Sequence, residues 1–303
     1  MWIKASGDLT EHLSQVTTSV STHFVAMGDQ TALVDASVWS VREELWEKVS
    51  AVVETIDCIF ITHAHFDHVG AIPFLREKSP ELKLVSGRKT ADLLSQKEFC
   101  EKLRQQNIAA TTACGEEFSC SEGDWFKSLQ IDLILSEGDS IDLGDEVEVR
   151  LFETPGHTDD SCCFYFKQDL ALAAGESLGQ YSGREKITPS FASSYEDALT
   201  TLQKINALDI KLLSLPHSGV LSGDLVAKYL TELPLEMERY RKSFQQQIEE
   251  GLLIEEIVAT VSADWVEDGR FPEGPFHDAH KKLIEEMVKN SRVVDDNQDQ
   301  EEN

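Results

Sequence analysis

The chain has 303 residues, 41% of them hydrophobic, which allows a sizeable core in one large or two small domains. Its 55 Asp and Glu outnumber 27 Lys and Arg, for a net charge of −28. That field repels phosphate backbones and anionic membranes, so nucleic acid and membrane surfaces are poor partners. No apolar run approaches the ~20 residues of a membrane span.

The N-terminal stretch lacks a basic segment followed by an apolar one, so no export signal is expected. Six Cys are present and no C-x-x-C pair, which favours reduced thiols in a cytoplasmic protein. Thr31–Asp35 reads as a short strand ending in a carboxylate. Val38, Val41, Leu45 and Val49 follow at helical spacing. Cys58–Thr62 is a continuous apolar run, suited to a strand buried on both faces. A helix over Ala71–Lys78 and a strand over Leu82–Val85 come next. Residues 96–135 change character and read as an insertion, either a lid or a surface excursion. Strands resume at Glu146–Phe152, Cys162–Phe166, Leu170–Ala174 and Leu212–Leu215, with a helix over Tyr195–Leu208 before the last. Cys162 and Cys163 read as core residues. From Pro234 to Asn290 three apolar stripes at helical spacing predict helices, with Gly251 as a stop. The last nine residues hold five carboxylates and no apolar side chain, and are expected to be disordered.

The strongest chemical signal is Thr62-His63-Ala64-His65-Phe66-Asp67-His68-Val69-Gly70. Three imidazoles and a carboxylate stand within six positions, directly after a buried strand. Such donors suit zinc, iron or manganese. Further ligands are needed, and three candidates recur at predicted strand ends: His157 in Thr154-Pro155-Gly156-His157, Glu176 in Gly175-Glu176-Ser177, and His217 in Pro216-His217-Ser218. His12, His23, His277 and His280 read as surface residues. The last two, at i and i+3, could alternatively line a pocket mouth.

The order H-x-H-x-D-H, then PGH, then a Gly-carboxylate, then a late His resembles the metallo-β-lactamase fold hydrolases. The resemblance covers about residues 16–230. It implies an α/β fold, an αββα sandwich with the metals at one edge between the sheets. Carried over position by position, His63, His65 and His157 would bind one metal, and Asp67, His68 and His217 the other. Glu176 stands where that family usually has a bridging Asp. Its extra methylene departs from the pattern, so Glu176 either bridges with altered geometry or supports the site from outside it. Asp35 would hydrogen-bond a ligand His. The resemblance implies residues 1–233 as the catalytic domain, 234–290 as a helical segment covering the site, and 291–303 as a loose acidic tail.

Residues 156–160, the 175–179 run and the helices after Pro234 are similar in layout to the quinolone-signal response thioesterases. The implied function is a dinuclear metal-dependent hydrolase of a small ester or thioester. Two divalent ions, zinc first and iron or manganese otherwise, would share a water as a bridging hydroxide, with Asp67 accepting a proton. Two alternatives stay open: a phosphodiesterase on small phosphodiesters, or a signalling protein acting through a partner. A homodimer or protein partner would use the C-terminal helices. There is no C-terminal basic cluster of the glyoxalase II type. Tyr181 lies five positions after Glu176, too far to match the lactonase pattern.

Overall fold

The computed structural model describes residues 1–183, 186–267 and 277–292, and within these it leaves the side chains of 265–267, 277–280 and 292 undescribed. The expected disordered tail, 295–303, lies outside the described residues, as do the side chains of His277 and His280. The chain forms two compact units. The first comprises Met1–Glu153, Asp160–Gly175 and Asp209–Val226. The second comprises Thr154–Asp159, Glu176–Leu208 and the described residues from Ala227 onward.

The first unit holds two seven-stranded sheets. After β1 (Trp2–Ile3), the first sheet runs in chain order: β2 (Gly7–Asp8), β3 (Leu13–Thr17), β4 (Thr22–Met27), β5 (Thr31–Val34), β6 (Cys58–Ile61), β7 (Lys83–Gly87) and β8 (Leu133–Leu135). It is antiparallel through β5 and parallel from β5 to β8. The helices α1 (Arg42–Ser50), α2 (Phe66–Val69), α3 (Ile72–Lys78), α4 (Arg88–Leu94), α5 (Lys97–Ala113) and α6 (Glu122–Ser128) fall between its later strands. The second sheet holds β9 (Ser140–Asp142), β10 (Glu148–Glu153), β11 (Cys162–Phe166), β12 (Ala171–Ala173), β15 (Leu212–Leu215) and β16 (Gly219–Ser222). Strand β1 pairs with β16 at its edge.

Side-chain alternation explains the layering. Along β5 and β6, Ala32, Val34, Cys58 and Phe60 face the second sheet, where Phe60 meets Phe164 at a ring distance of 4.8 Å. Leu33, Ile59 and Ile61 point the other way, into a cluster with Leu45, Ile72, Leu103 and Trp125. A strand with apolar neighbours on both faces must be apolar throughout, which is why Cys58–Ile61 reads as an unbroken run. Residues 96–135 contribute to the same cluster through Leu103, Trp125 and Leu129, and supply β8 to the sheet. Strand β10 begins two residues later than the alternation suggests, because Asp145 and Glu146 both take positive φ in the preceding turn.

The second unit holds the hairpin β13 (Gln180–Tyr181) and β14 (Ile187–Thr188), then α7 (Tyr195–Ile205), α9 (Ile254–Glu267), α10 (His277–Arg292) and α8 (Asp224–Glu249) from Ala227 on. Helix α8 starts ten residues before Pro234, where the stripe reading placed the change to helix, and runs through that proline. An interior proline costs about 3 kcal/mol. The buried stripe Tyr229, Leu230, Leu233, Met237 and Phe244 holds the helix continuous across it. Gly251, at φ 88°, stops α8 as expected. Ile284, Met287 and Val288 are fully buried on α10, as the third stripe predicts. Among the described residues no helix is long and apolar enough to cross a membrane.

Candidate metal centre

In the first unit, the His-rich segment leaves the C-terminal end of β6 and turns into α2. Gly70 ends it where no side chain fits: a Cβ there would lie 2.6 Å from Val38 Cα and 2.7 Å from Trp39 N. Around this turn the rings of His63 and His65 approach to 4.5 Å, and those of His63 and His68 to 4.1 Å. His217, from the turn after β15, brings Nε2 to 3.2 Å from Asp67 Oδ2. Asp67, His68 and His217 each place a ligand atom within 4.8 Å of the others, as do His63 and His65.

The hydrogen bonds fix which nitrogen each ring presents. Asp35 is 4% exposed and sits at φ 58°, in the left-handed region that Asp tolerates better than most residues. Its Oδ1 accepts the Thr62 N–H at 2.9 Å. Its Oδ2 accepts the Thr62 hydroxyl at 2.8 Å and His68 Nδ1–H at 2.8 Å. Having donated its proton to Asp35, Thr62 Oγ1 accepts from His63 Nδ1–H at 3.0 Å. His217 Nδ1–H donates to the Val20 carbonyl at 3.2 Å. All three imidazoles therefore carry their proton on Nδ1 and present the Nε2 lone pair, the form a metal ion takes. One carboxylate sets two of these tautomers.

The sequence reading overlooked Asp160, which lies in the first unit. Its Oδ2 accepts the Ala64 N–H at 2.8 Å and the Thr90 hydroxyl at 3.0 Å, tying the backbone between His63 and His65 to α4. Its place three residues after His157 was the available signal, but two adjacent Asp gave no reason to choose it.

In the second unit, His157 Nε2 lies 2.9 Å from Glu176 Oε2 and its Nδ1 is hydrogen-bonded to Ser190 Oγ at 2.6 Å. The Gly156 carbonyl accepts the N–H groups of Ser193 and Ser194, and a Cβ on Gly156 would lie 2.6 Å from the Ala198 Cβ. The His157 turn is thereby seated on the start of α7. Gln180 Nε2 donates to Glu176 Oε1 at 3.5 Å. Gly175, one peptide bond before Glu176 but in the first unit, takes φ 51°, and a Cβ there would lie 2.8 Å from Thr62 Oγ1.

His23 corrects the sequence reading. It is 2% exposed rather than a surface residue, because β4 is covered on both faces. Burial, the largest influence, lowers its pKa from 6.5 to about 4. The ring is thus neutral in the fold while the unfolded chain takes up a proton below pH 6.5. Stability is undiminished above pH 6.5 and falls as pH drops toward 4. Two and a half pKa units correspond to about 3 kcal/mol. Urea unfolding of metal-free His23→Gln should show a smaller loss over that window than the wild-type chain does. Burial also pushes the Cys162 thiol well above its usual range, in keeping with a core role, and all six cysteines are free thiols.

The family model of the Metallo-beta-lactamase superfamily matches residues 17–217. The chain belongs to this superfamily. It is 26% identical over 217 residues to the metallo-beta-lactamase fold-containing protein ST1585 of Sulfurisphaera tokodaii, covering 71% of this chain and 78% of the relative. It is 25% identical over 263 residues to the atrochrysone carboxyl ACP thioesterase nsrC of Aspergillus novofumigatus, covering 82% and 67%. Hydroxyacylglutathione hydrolase of Francisella tularensis subsp. novicida is 28% identical over 157 residues, covering 52% and 47%. Among solved structures, the metallo-beta-lactamase family protein TTHA1429 of Thermus thermophilus has the same fold with a TM-score of 0.64 at 17% identity, covering 94% of this chain and 93% of that one. Superfamily members are mostly metal-dependent hydrolases that bind divalent metals, and this chain carries a matching His and carboxylate set.

Proposed function

We propose that the protein is a dinuclear metal-dependent hydrolase of a small thioester or ester, placed in the cytoplasm and similar to the quinolone-signal response thioesterases. The observation that carries this reading is the Asp35–Thr62–His63 and Asp35–His68 relay, which presents two Nε2 lone pairs at the end of a rigid, buried strand. His63, His65 and His157 would hold one ion, and Asp67, His68 and His217 the other, with Glu176 as the carboxylate proposed to serve both. Residues 1–233 are proposed as the catalytic part and 234–290 as a helical segment, with 96–135 as an insertion. When bound, the two divalent ions act as Lewis acids and acidify a water. Zinc is favoured, with iron or manganese also suited to these donors.

The chain's own residues supply the rest. Asp35 keeps His63 and His68 in one tautomer, and Asp160 holds the loop between His63 and His65. Asp67 takes a proton as the scissile bond breaks. The names of two relatives support thioester chemistry, an ACP thioesterase and a hydroxyacylglutathione hydrolase. The substrate is a small molecule, and a homodimer or protein partner would use the C-terminal helices.

A panel of acyl-coenzyme A thioesters and a panel of bis-aryl phosphates, run on the wild-type protein and on His63→Ala, test this. Thioester turnover that His63→Ala loses by a factor of about 100 or more, about 2.7 kcal/mol of transition-state stabilisation, is the expected result. Turnover of the phosphodiesters alone supports a phosphodiesterase instead. A His63→Ala variant that keeps full biological activity overturns the enzymatic reading.

A further inference from the structure

His23 is a buried, titratable side chain that the chemistry above does not use. Its Nδ1–H donates to the Val34 carbonyl at 2.9 Å, so Nε2 accepts the Ser21 hydroxyl at 2.7 Å. With that proton committed, Ser21 Oγ accepts from the Ser37 hydroxyl, also at 2.7 Å. Ser37 itself is held at φ 48°, two residues after Asp35. Ser21 thus joins the strand β4 to the Asp35 turn through side chains alone.

Ser21 also closes a tight turn. Thr18 N–H donates to the Ser21 carbonyl at 2.8 Å, while the N–H groups of Val20 and Ser21 donate to Thr18 Oγ1 at 3.2 and 3.0 Å. Inside that turn, Val20 presents the carbonyl that accepts His217 Nδ1–H. The next residue after Ser21, Thr22, donates its N–H to the Pro216 carbonyl at 2.6 Å. Two hydrogen bonds therefore run from this short segment to the Pro216–His217 turn.

We propose that His23 and Ser21 are positioning residues for His217: their hydrogen bond clamps the Thr18–Thr22 segment so that the Val20 carbonyl holds His217 with Nε2 toward Asp67. This rests on the reading of His217 as a metal ligand. This direction of the hydrogen-bond chain holds for a neutral ring; a protonated imidazole would instead donate Nε2–H to Ser21 Oγ. Burial supplies the neutral form by keeping His23 unprotonated at neutral pH.

Zinc affinity, measured by competition with a chromophoric chelator, tests the proposal in wild type, Ser21→Ala, His23→Leu, His23→Gln and His217→Ala. The ion lost in His217→Ala should bind about 10- to 100-fold more weakly in Ser21→Ala and His23→Leu, with the other ion held within about 2-fold. The Gln carboxamide can accept from Ser21, so His23→Gln should recover most of the loss. Adding Ser21→Ala to His217→Ala should change zinc binding no further. Wild-type affinity for both ions in Ser21→Ala and His23→Leu overturns the proposal, as does equal weakening of both ions, which marks a general loss of structure. A wild-type protein holding no zinc beyond what His217→Ala holds removes the ligand assignment instead, and the positioning role with it.

Discussion

Replacing Asp35 with alanine should be among the most damaging single changes in the first unit. Three donors end on its carboxylate: the Thr62 N–H, the Thr62 hydroxyl and His68 Nδ1–H. Thr62 and His68 are each 1% exposed, so water cannot replace the lost acceptor. Leaving buried donors unsatisfied costs about 1–3 kcal/mol each. The penalties of the three donors overlap, so a loss of about 3–5 kcal/mol in urea unfolding of the metal-free protein is expected. The second effect is on the site. Without Asp35, the Thr62 hydroxyl is free to turn and donate to His63 Nδ1. That would move the His63 proton to Nε2 and block its lone pair. Zinc affinity should fall by about 10- to 100-fold even where the variant folds. Asp35→Asn is the sharper control. Its amide nitrogen cannot accept, so it should keep the volume and still lose zinc affinity. A variant Asp35→Asn with wild-type affinity contradicts the relay.

The second large effect concerns Glu176. Glu176→Ala should lose about one metal ion per chain and most hydrolysis if Glu176 serves both ions as proposed. Glu176→Asp restores the residue usual at this position in the superfamily, one methylene shorter. It should retain more metal than the alanine variant. Gly175 limits how far the backbone can adjust, because it is held at φ 51° against Thr62. Elemental analysis of both variants decides the matter. Metal content equal to wild type in Glu176→Ala would place the carboxylate outside the ligand set, where its contacts with His157 and Gln180 would make it a support.

Much of this was legible in the chain, and for a physical reason. A strand buried on both faces has to be apolar throughout, so Cys58–Ile61 announced itself, and with it the loop that follows. Six residues carrying four donors are rare enough to read directly. Asp35 was visible because a carboxylate at a strand end beside such a loop has a natural partner. The remainder depended on long-range pairing. Asp160 acts on Ala64, ninety-six positions away, and Val20 acts on His217 across 197 positions. No local pattern encodes either contact. His23 was read as a surface residue because a lone His carries no local sign of burial; its burial follows from β4 being covered on both faces. The helix start reads late because the stripe is plainest from Met237 onward, whereas Tyr229, Leu230 and Leu233 continue it before the proline.

The proposed hydrolysis requires two divalent metal ions on this chain. Their number per chain can be read by elemental analysis of protein purified without oxygen or chelators. About two ions per chain are expected, falling in His63→Ala and His217→Ala. A wild-type protein with no stoichiometric metal, before or after incubation with zinc, iron or manganese, would contradict the proposal.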